Sequence, residues 1–269
     1  YAHSWQQFGM PIESMPAVAE MVTDMAVAIE AARALTYEAS RFCDLENLNQ
    51  RVLDTGKDGL EKAEVKARKE HARSYKRLNA MLTPMSKYYA SEMCCRVADT
   101  AIQVLGGSGY MMDYAAERHL RDARITTIYE GTSQLQIVAA IRPVTTGTFD
   151  TCIADHETTD YDDPLLADLK QKLTDGKARL TDAMTFAKEQ PSRFQELSAR
   201  RLVDSAITIL VGHLLLRQAT NSDRKARVAH RFIESQLPVL RMTCDQVLCG
   251  DAAPLDEFEL LAGPVPTVS

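Results

Sequence analysis

The chain has 269 residues, room for one large domain or two small ones. With 45% hydrophobic and 25% charged residues it has the composition of an ordinary globular protein, and a formal net charge of -6 offers nucleic acid no general attraction. No apolar run approaches the roughly 18 residues that span a bilayer, and no secretory leader pattern is present, so neither a membrane nor a nucleic acid is expected as a partner.

Helical periodicity runs through nearly the whole chain, and alternating β-branched runs are scarce. The opening at Tyr1 reads as a turn between elements, as expected of a piece of a longer protein. Over residues 16–45 apolar side chains recur at intervals of three and four (Val18, Met21, Val22, Met25, Ile29, Ala32, Leu35). That spacing predicts a long amphipathic helix with Pro16 in its first turn, where a missing N–H costs little. Residues 47–59 read as punctuation. Residues 61–77, rich in Lys, Arg and Glu, read as the solvated face of a helix, with a basic contact surface as the alternative. Pro84 then precedes a second long helix over residues 85–105, stopped at Gly106 and Gly107.

A glycine-bearing loop with a short turn is predicted through Thr127. The next helix starts near Thr132, whose hydroxyl can cap it, and runs to Ile141 before Pro143. Residues 145–163 are polar and suit a linker. Three further helices are predicted over residues 165–188, 193–219 and 222–248, with Leu202, Ile209, Leu210, Leu216, Phe232, Leu240 and Val247 on their packing faces. The apolar stretch at 206–216 is short and contains His213, so it reads as a buried helix. The expected fold class is all-α: a helical bundle over residues 1–149, an additional helical bundle over 163–250 and an irregular tail over 251–269.

Three features in residues 103–136 carry chemical potential. Gly106, Gly107 and Gly109 let backbone approach a ligand closely, although the same glycines also make a common helix stop. Their spacing is not the GxGxxG dinucleotide fingerprint, and they follow a helix rather than a strand. Glu130 sits after the apolar pair Ile128 and Tyr129 and before Gly131, at the junction of a loop and a helix. A carboxylate in apolar surroundings becomes a better proton acceptor near neutrality; an acidic residue at a helix start is also favoured by the dipole, and on local sequence that is the commoner meaning. Arg118, Arg121, Asp122 and Arg124 read as an ion-pair network fixing a loop, or as a surface for an anionic ligand. The six cysteines (43, 94, 95, 152, 244, 249) form no paired CxxC pattern, so no metal site is expected. They read as buried thiols in a reducing cytoplasm.

The run QVLGGSGY at 103–110, followed by RDARITTIYEGTSQLQ at 121–136, resembles the C-terminal signature of the acyl-CoA dehydrogenases. The opening YAxxxxQFGxPI resembles the start of that family's bundle. The resemblance covers residues 1–149; residues 163–250 resemble, more weakly, the helical extension of members with longer C-termini. It implies a C-terminal four-helix bundle that in the family follows a helical and a β domain and binds FAD non-covalently. It also implies that Glu130 removes the α-proton of an acyl-CoA thioester while the β-hydrogen leaves as hydride to the flavin, giving a trans-2-enoyl-CoA. The Glu130 N–H, with a flavin ribityl hydroxyl, would hold the thioester carbonyl.

On the same resemblance Gly131 leaves room for the thioester and Arg142 matches a basic position assigned to the substrate. Thr132, Ser133 and Gln134 contact the flavin. Gln7, Phe8, Gln103, Val104, Leu105, Gly106 and Gly107 meet the cofactor of a neighbouring protomer, which implies a homodimer or homotetramer. Electron-transfer flavoprotein is the implied electron acceptor. Trp5 stands where the family usually has an arginine for the FAD pyrophosphate, Pro16 where many members have a glutamine, and Ile137 where arginine is frequent. These departures are expected to weaken FAD binding and leave the base intact; because the family's substrate-binding helix and flavin-covering β domain are not in this sequence, the isolated chain is expected to be inactive and to bind FAD weakly or not at all. The alternatives are a relative of other chemistry, an oxidase or a member of a stress-response branch, and a non-catalytic helical oligomerisation module.

Overall fold

In the computed structural model the described residues are 1–56 and 59–264. A two-residue hairpin opens the chain, β1 (Gln6–Gln7) paired antiparallel with β2 (Met10–Pro11). The regular elements after it, among the described residues, are helices: α1 (Pro16–Thr55), α2 (Lys62–Leu105), α3 (Gly107–Tyr110), α4 (Ala116–Thr126), α5 (Ser133–Thr145) and α6 (Thr148–Thr158). There follow α7 (Pro164–Glu189), α8 (Ser192–Ala219), α9 (Asp223–Leu248), α10 (Ala253–Asp256) and α11 (Phe258–Ala262).

The helices α1 and α2 lie antiparallel. The Ser86 hydroxyl donates to Thr36 Oγ1 at 3.1 Å, and Asn79 Nδ2 donates to the Phe42 carbonyl at 3.2 Å and to Glu46 Oε2 at 2.6 Å. With α4 and α5 packed on α2 they make the first, four-helix bundle, and α7, α8 and α9 make the second. The second bundle begins cleanly: Asp163 accepts from the Leu165 N–H and Ser222 from the Lys225 N–H, each satisfying an orphan donor of a helix start. Leu35, Met81, Met85, Ile137, Phe149, Leu173, Ile207 and Ile209 are all at 0–1% exposure and belong to one core that runs through both bundles. Each such side chain contributes about 1.5–3 kcal/mol relative to exposure.

The predicted helices over 165–188, 193–219 and 222–248 are present with nearly those bounds, and all seven predicted packing residues on α8 and α9 are buried. The stretch read as a loop with a short turn through Thr127 holds the eleven-residue helix α4, and α5 continues past Ile141 through Pro143 to Thr145. Four further expectations are corrected. Helix α1 continues to Thr55 through the stretch read as punctuation, because Asn49 is buried and bonds back to the Leu45 carbonyl at 2.8 Å; Lys57 and Asp58 lie outside the described residues. Pro84 lies inside one continuous α2 instead of starting a new helix. An interior proline costs about 3 kcal/mol, but Met81, Leu82 and Met85 around it are fully buried and hold the helix together. The polar linker at 145–163 contains α6, whose Phe149 and Ile153 are wholly buried among otherwise polar neighbours. The tail holds α10 and α11, with residues 265–269 outside the described set.

Two smaller differences concern exposure. On α1 the buried face is Val27, Ala31, Ala34, Leu35 and Ala39, whereas Val22 and Ile29 of the predicted stripe point outward. Of the six thiols only Cys244 is buried, while Cys43, Cys94 and Cys249 are exposed, so burial does not explain the cysteines. Helix α8 is long and apolar enough to cross a membrane, but 78% of its apolar window is buried and it serves as the central core helix.

Candidate functional site

Backbone strain marks two places. Among the described residues, Phe8 (φ 52°) and Glu130 (φ 51°) are the non-glycine residues with positive φ. The left-handed conformation costs an L-residue about 1–2 kcal/mol, and strain of this kind gathers at functional positions. Phe8 and Gly9 (φ 80°) form the two-residue turn of the β1–β2 hairpin, which needs positive φ at both positions. The turn pushes Phe8 outward to 85% exposure.

The second strained place lies between α4 and α5. Glu130 is followed by Gly131 (φ 93°), and the pair reverses the chain so that Thr132 can cap α5, its Oγ1 accepting from the Leu135 N–H at 3.3 Å. Side chains hold the turn from several sides. Lys87 Nζ donates to the Gly131 carbonyl at 2.7 Å and to the Thr126 carbonyl at 2.9 Å, and lies 5.6 Å from the Tyr129 ring centroid. Gln136 Nε2 donates to the Glu130 carbonyl at 3.1 Å. The Ser133 hydroxyl donates to Glu92 Oε1 at 2.6 Å, and the Ser133 N–H donates to the Thr127 carbonyl at 3.0 Å. Among the described residues the Glu130 N–H meets no acceptor. Its carboxylate is exposed, as are Ile128, Tyr129, Leu135 and Val138 beside it. The apolar surroundings expected around Glu130 are therefore present only as an open rim.

Gly106 (φ 60°) and Gly107 end α2 with open space where a Cβ would stand, and Gln103 is exposed beside them. Val104 is buried, which leaves it only its main chain for any ligand. Gly109 differs from its neighbours: a Cβ there would meet the Ile102 carbonyl at 2.7 Å, so this glycine serves the packing of α3 on α2 rather than a ligand. The hairpin sits at this end of α2, with the Tyr1 hydroxyl donating to Ser108 Oγ at 3.3 Å and Tyr1 stacked on Trp5.

The proposed residues thus form two groups. Glu130, Gly131, Thr132, Ser133 and Gln134 surround the α4–α5 turn, opposite Lys87 of α2. Gln7, Phe8 and Gln103 to Gly107 gather at the C-terminal end of α2. From Lys87 to Gly106 the helical rise gives on the order of 28 Å. Arg142, in the last turn of α5, lies about 14 Å along that helix from Ser133 and apart from both groups. Of the arginine cluster, Arg121 pairs with Glu117 at 2.7 Å and Arg124 donates to Thr127, which fits the loop-fixing reading. Lys87 and Glu92 are functional-looking residues that local sequence did not single out; they stand 39 to 44 positions from their partners.

Fold and strained turn together define an all-helical domain that carries an exposed carboxylate in a left-handed turn between two helices. The family model described as "Acyl-CoA dehydrogenase, C-terminal domain" matches residues 1–143, and one described as "Acyl-CoA dehydrogenase C terminal" matches residues 145–237. The chain belongs to the acyl-CoA dehydrogenase family. It is 36% identical over 136 residues to the caffeyl-CoA reductase-Etf complex subunit CarC of Acetobacterium woodii, covering 51% of this chain and 28% of that one. To the mitochondrial short-chain specific acyl-CoA dehydrogenase of Homo sapiens it is 35% identical, covering 51% of this chain and 26% of the relative. The chain thus spans about a quarter of the length of these relatives. Its fold resembles an acyl-CoA dehydrogenase of Bacillus anthracis solved with FAD (TM-score 0.70, 20% identity), covering 97% of this chain and 47% of that one.

Proposed function

We propose that this chain is the C-terminal helical part of an FAD-dependent acyl-CoA dehydrogenase and supplies Glu130 as the base. The observation that carries the reading is the turn itself: an exposed carboxylate on a residue at φ 51°, with its own N–H free of any acceptor among the described residues. One residue can then serve twice. Its carboxylate takes the α-proton of an acyl-CoA thioester, and its N–H donates to the thioester oxygen as negative charge gathers there. A single oriented donor of this kind contributes about 3 kcal/mol. FAD, when bound, supplies the hydride acceptor for the β-hydrogen.

The two groups of residues fit FAD as two half-surfaces. Thr132 and Gln134 would face the cofactor at the base, with Ser133 turned inward to Glu92 to orient the start of α5. The open main chain at Gly106 and Gly107, with the exposed amides of Gln103 and Gln7, would meet the cofactor of a second copy. A separation near 28 Å within one chain favours that division and hence a homodimer or homotetramer. Trp5 offers a single indole donor where a cation would suit a pyrophosphate, so FAD affinity is expected to be lower than in arginine-bearing relatives. Electron-transfer flavoprotein is the proposed electron acceptor, a reading supported by a relative whose name includes an Etf complex.

The test is anaerobic titration of the flavin-loaded protein that carries this chain with short, medium and long acyl-CoAs. Bleaching by one class names the substrate range, and Glu130→Gln should slow it at least about a thousandfold. Full-rate bleaching by the variant would sink the assignment.

A further inference from the structure

We propose that Lys87 is the positioning residue of Glu130, holding the strained turn in the geometry that aims its carboxylate and N–H; this rests on Glu130 being the base. A left-handed, non-glycine residue followed by a left-handed glycine persists only where its surroundings over-determine it. Exposed apolar neighbours cannot do so here, because Ile128, Tyr129 and Leu135 face outward. The constraint comes from donors beneath the turn, and Lys87 is the one that spans it. Its half-buried ammonium bonds the Thr126 carbonyl on one side of Glu130 and the Gly131 carbonyl on the other.

These bonds fix the main chain at both ends of the six-residue stretch 126–131, so Glu130 cannot swing without breaking a charge-assisted hydrogen bond. The third side of the ammonium is occupied by the Tyr129 ring. Lys87 itself is rigidly placed: it lies in α2 one residue before Tyr88, which is buried and donates to Asp204 of α8 at 2.8 Å. Ser91 adds a bond to the Lys87 carbonyl at 2.6 Å. The second bundle therefore braces the helix that carries the clamp. A half-buried lysine whose hydrogen bonds go to two main-chain oxygens acts through geometry instead of through charge on a surface.

Lys87→Met, Lys87→Arg and Glu130→Gln would be compared by two measurements. In the flavin-loaded protein, Lys87→Met should slow single-turnover bleaching ten- to a hundredfold at saturating acyl-CoA, with substrate affinity changed less than about threefold, as expected for a misplaced base. Lys87→Arg, whose guanidinium can reach both carbonyls, should recover to within about fivefold. In this chain, amide hydrogen exchange over residues 125–136 should accelerate at least about tenfold in Lys87→Met while α7 to α9 stay unchanged. Unaltered exchange and rate in Lys87→Met would overturn the proposal even with Glu130 as base. Should Lys87→Met fail to fold, a Lys87→Arg variant that folds but bleaches a hundredfold slower would overturn it equally. If Glu130→Gln keeps full bleaching while exchange accelerates in Lys87→Met, the base assignment falls and the clamp stands.

Discussion

The α7–α9 bundle and the α3–α5 end of the molecule are built from similar residues and used in opposite ways. In the first, α8 runs as a core helix: Ile207, Ile209, Leu210, Val211, Leu214, Leu215 and Leu216 are all at 0–1% exposure. In the second, Ile125, Ile128, Tyr129, Leu135 and Val138 stay exposed near the strained turn, and Tyr110, Met111 and Met112 stay exposed beyond the end of α2. One region buries its large apolar side chains within the chain; the other leaves many of them exposed, and with them the Glu130 N–H without an acceptor among the described residues. The stable core of this chain and its exposed carboxylate therefore lie in different parts of the molecule.

The largest expected effect comes from truncating the closed region. Leu210→Ala should destabilise the chain by about 3–4 kcal/mol, because transfer and cavity terms add in a wholly buried site. Leu135→Ala, at 60% exposure, should change the isolated chain by less than about 0.5 kcal/mol. Urea denaturation of both variants checks the pair, and equal losses would erase the distinction between the regions.

Acid should break the closed region first. Burial, and then the charges of His156, Lys170 and Lys177, push the His213 imidazole down to about 4. Unfolding returns it to the ordinary value near 6.5, so between pH 6.5 and 4 the unfolded chain binds the extra proton. The stabilisation is complete above pH 6.5 and is lost as pH falls toward 4, amounting to about 3 kcal/mol. Melting profiles at pH 7 and 4.5 should show the drop, and His213→Leu should flatten it. An unchanged slope in that variant would assign the acid sensitivity elsewhere.

A smaller effect is expected at the seam between the bundles. Glu38 is 4% exposed and accepts from Arg41 at 2.7 Å and from Arg217 at 2.8 Å. Burial alone would raise its carboxyl, but the two guanidinium bonds offset this and hold it below the usual carboxylate range. Arg217→Met leaves the buried carboxylate with one partner and should cost about 2 kcal/mol, less than a fully stranded charge because Arg41 remains. A double-mutant cycle with Glu38→Gln measures the coupling; additivity would show that the seam is held by its apolar core alone.

Much of the scaffold was legible in the residues. The periodicity of α7, α8 and α9 placed their faces correctly, Thr132 announced the start of α5, and the YEGT run drew attention to Glu130 before any geometry was known. These are local signals, in which spacing along the chain maps directly onto one face of a helix or one cap. What local signals could not decide was where an unfavourable residue is tolerated. Pro84 and the polar stretch 47–55 look like breaks because each carries a penalty of its own, and only the burial of Met81, Leu82, Met85 and Asn49 shows that packing exceeds it.

Residue order alone was enough to identify a helical member of the acyl-CoA dehydrogenase family with a carboxylate at a loop–helix junction. The packed fold revealed that Glu130 stands in a left-handed turn and that Gly109 packs on a helix instead of facing a ligand. It alone placed Lys87 and Glu92 beneath that turn, from some forty residues away. The reason is physical: helix faces and caps are fixed by neighbours in sequence, whereas strain, close approach and hydrogen bonds between distant side chains exist only once the helices have packed.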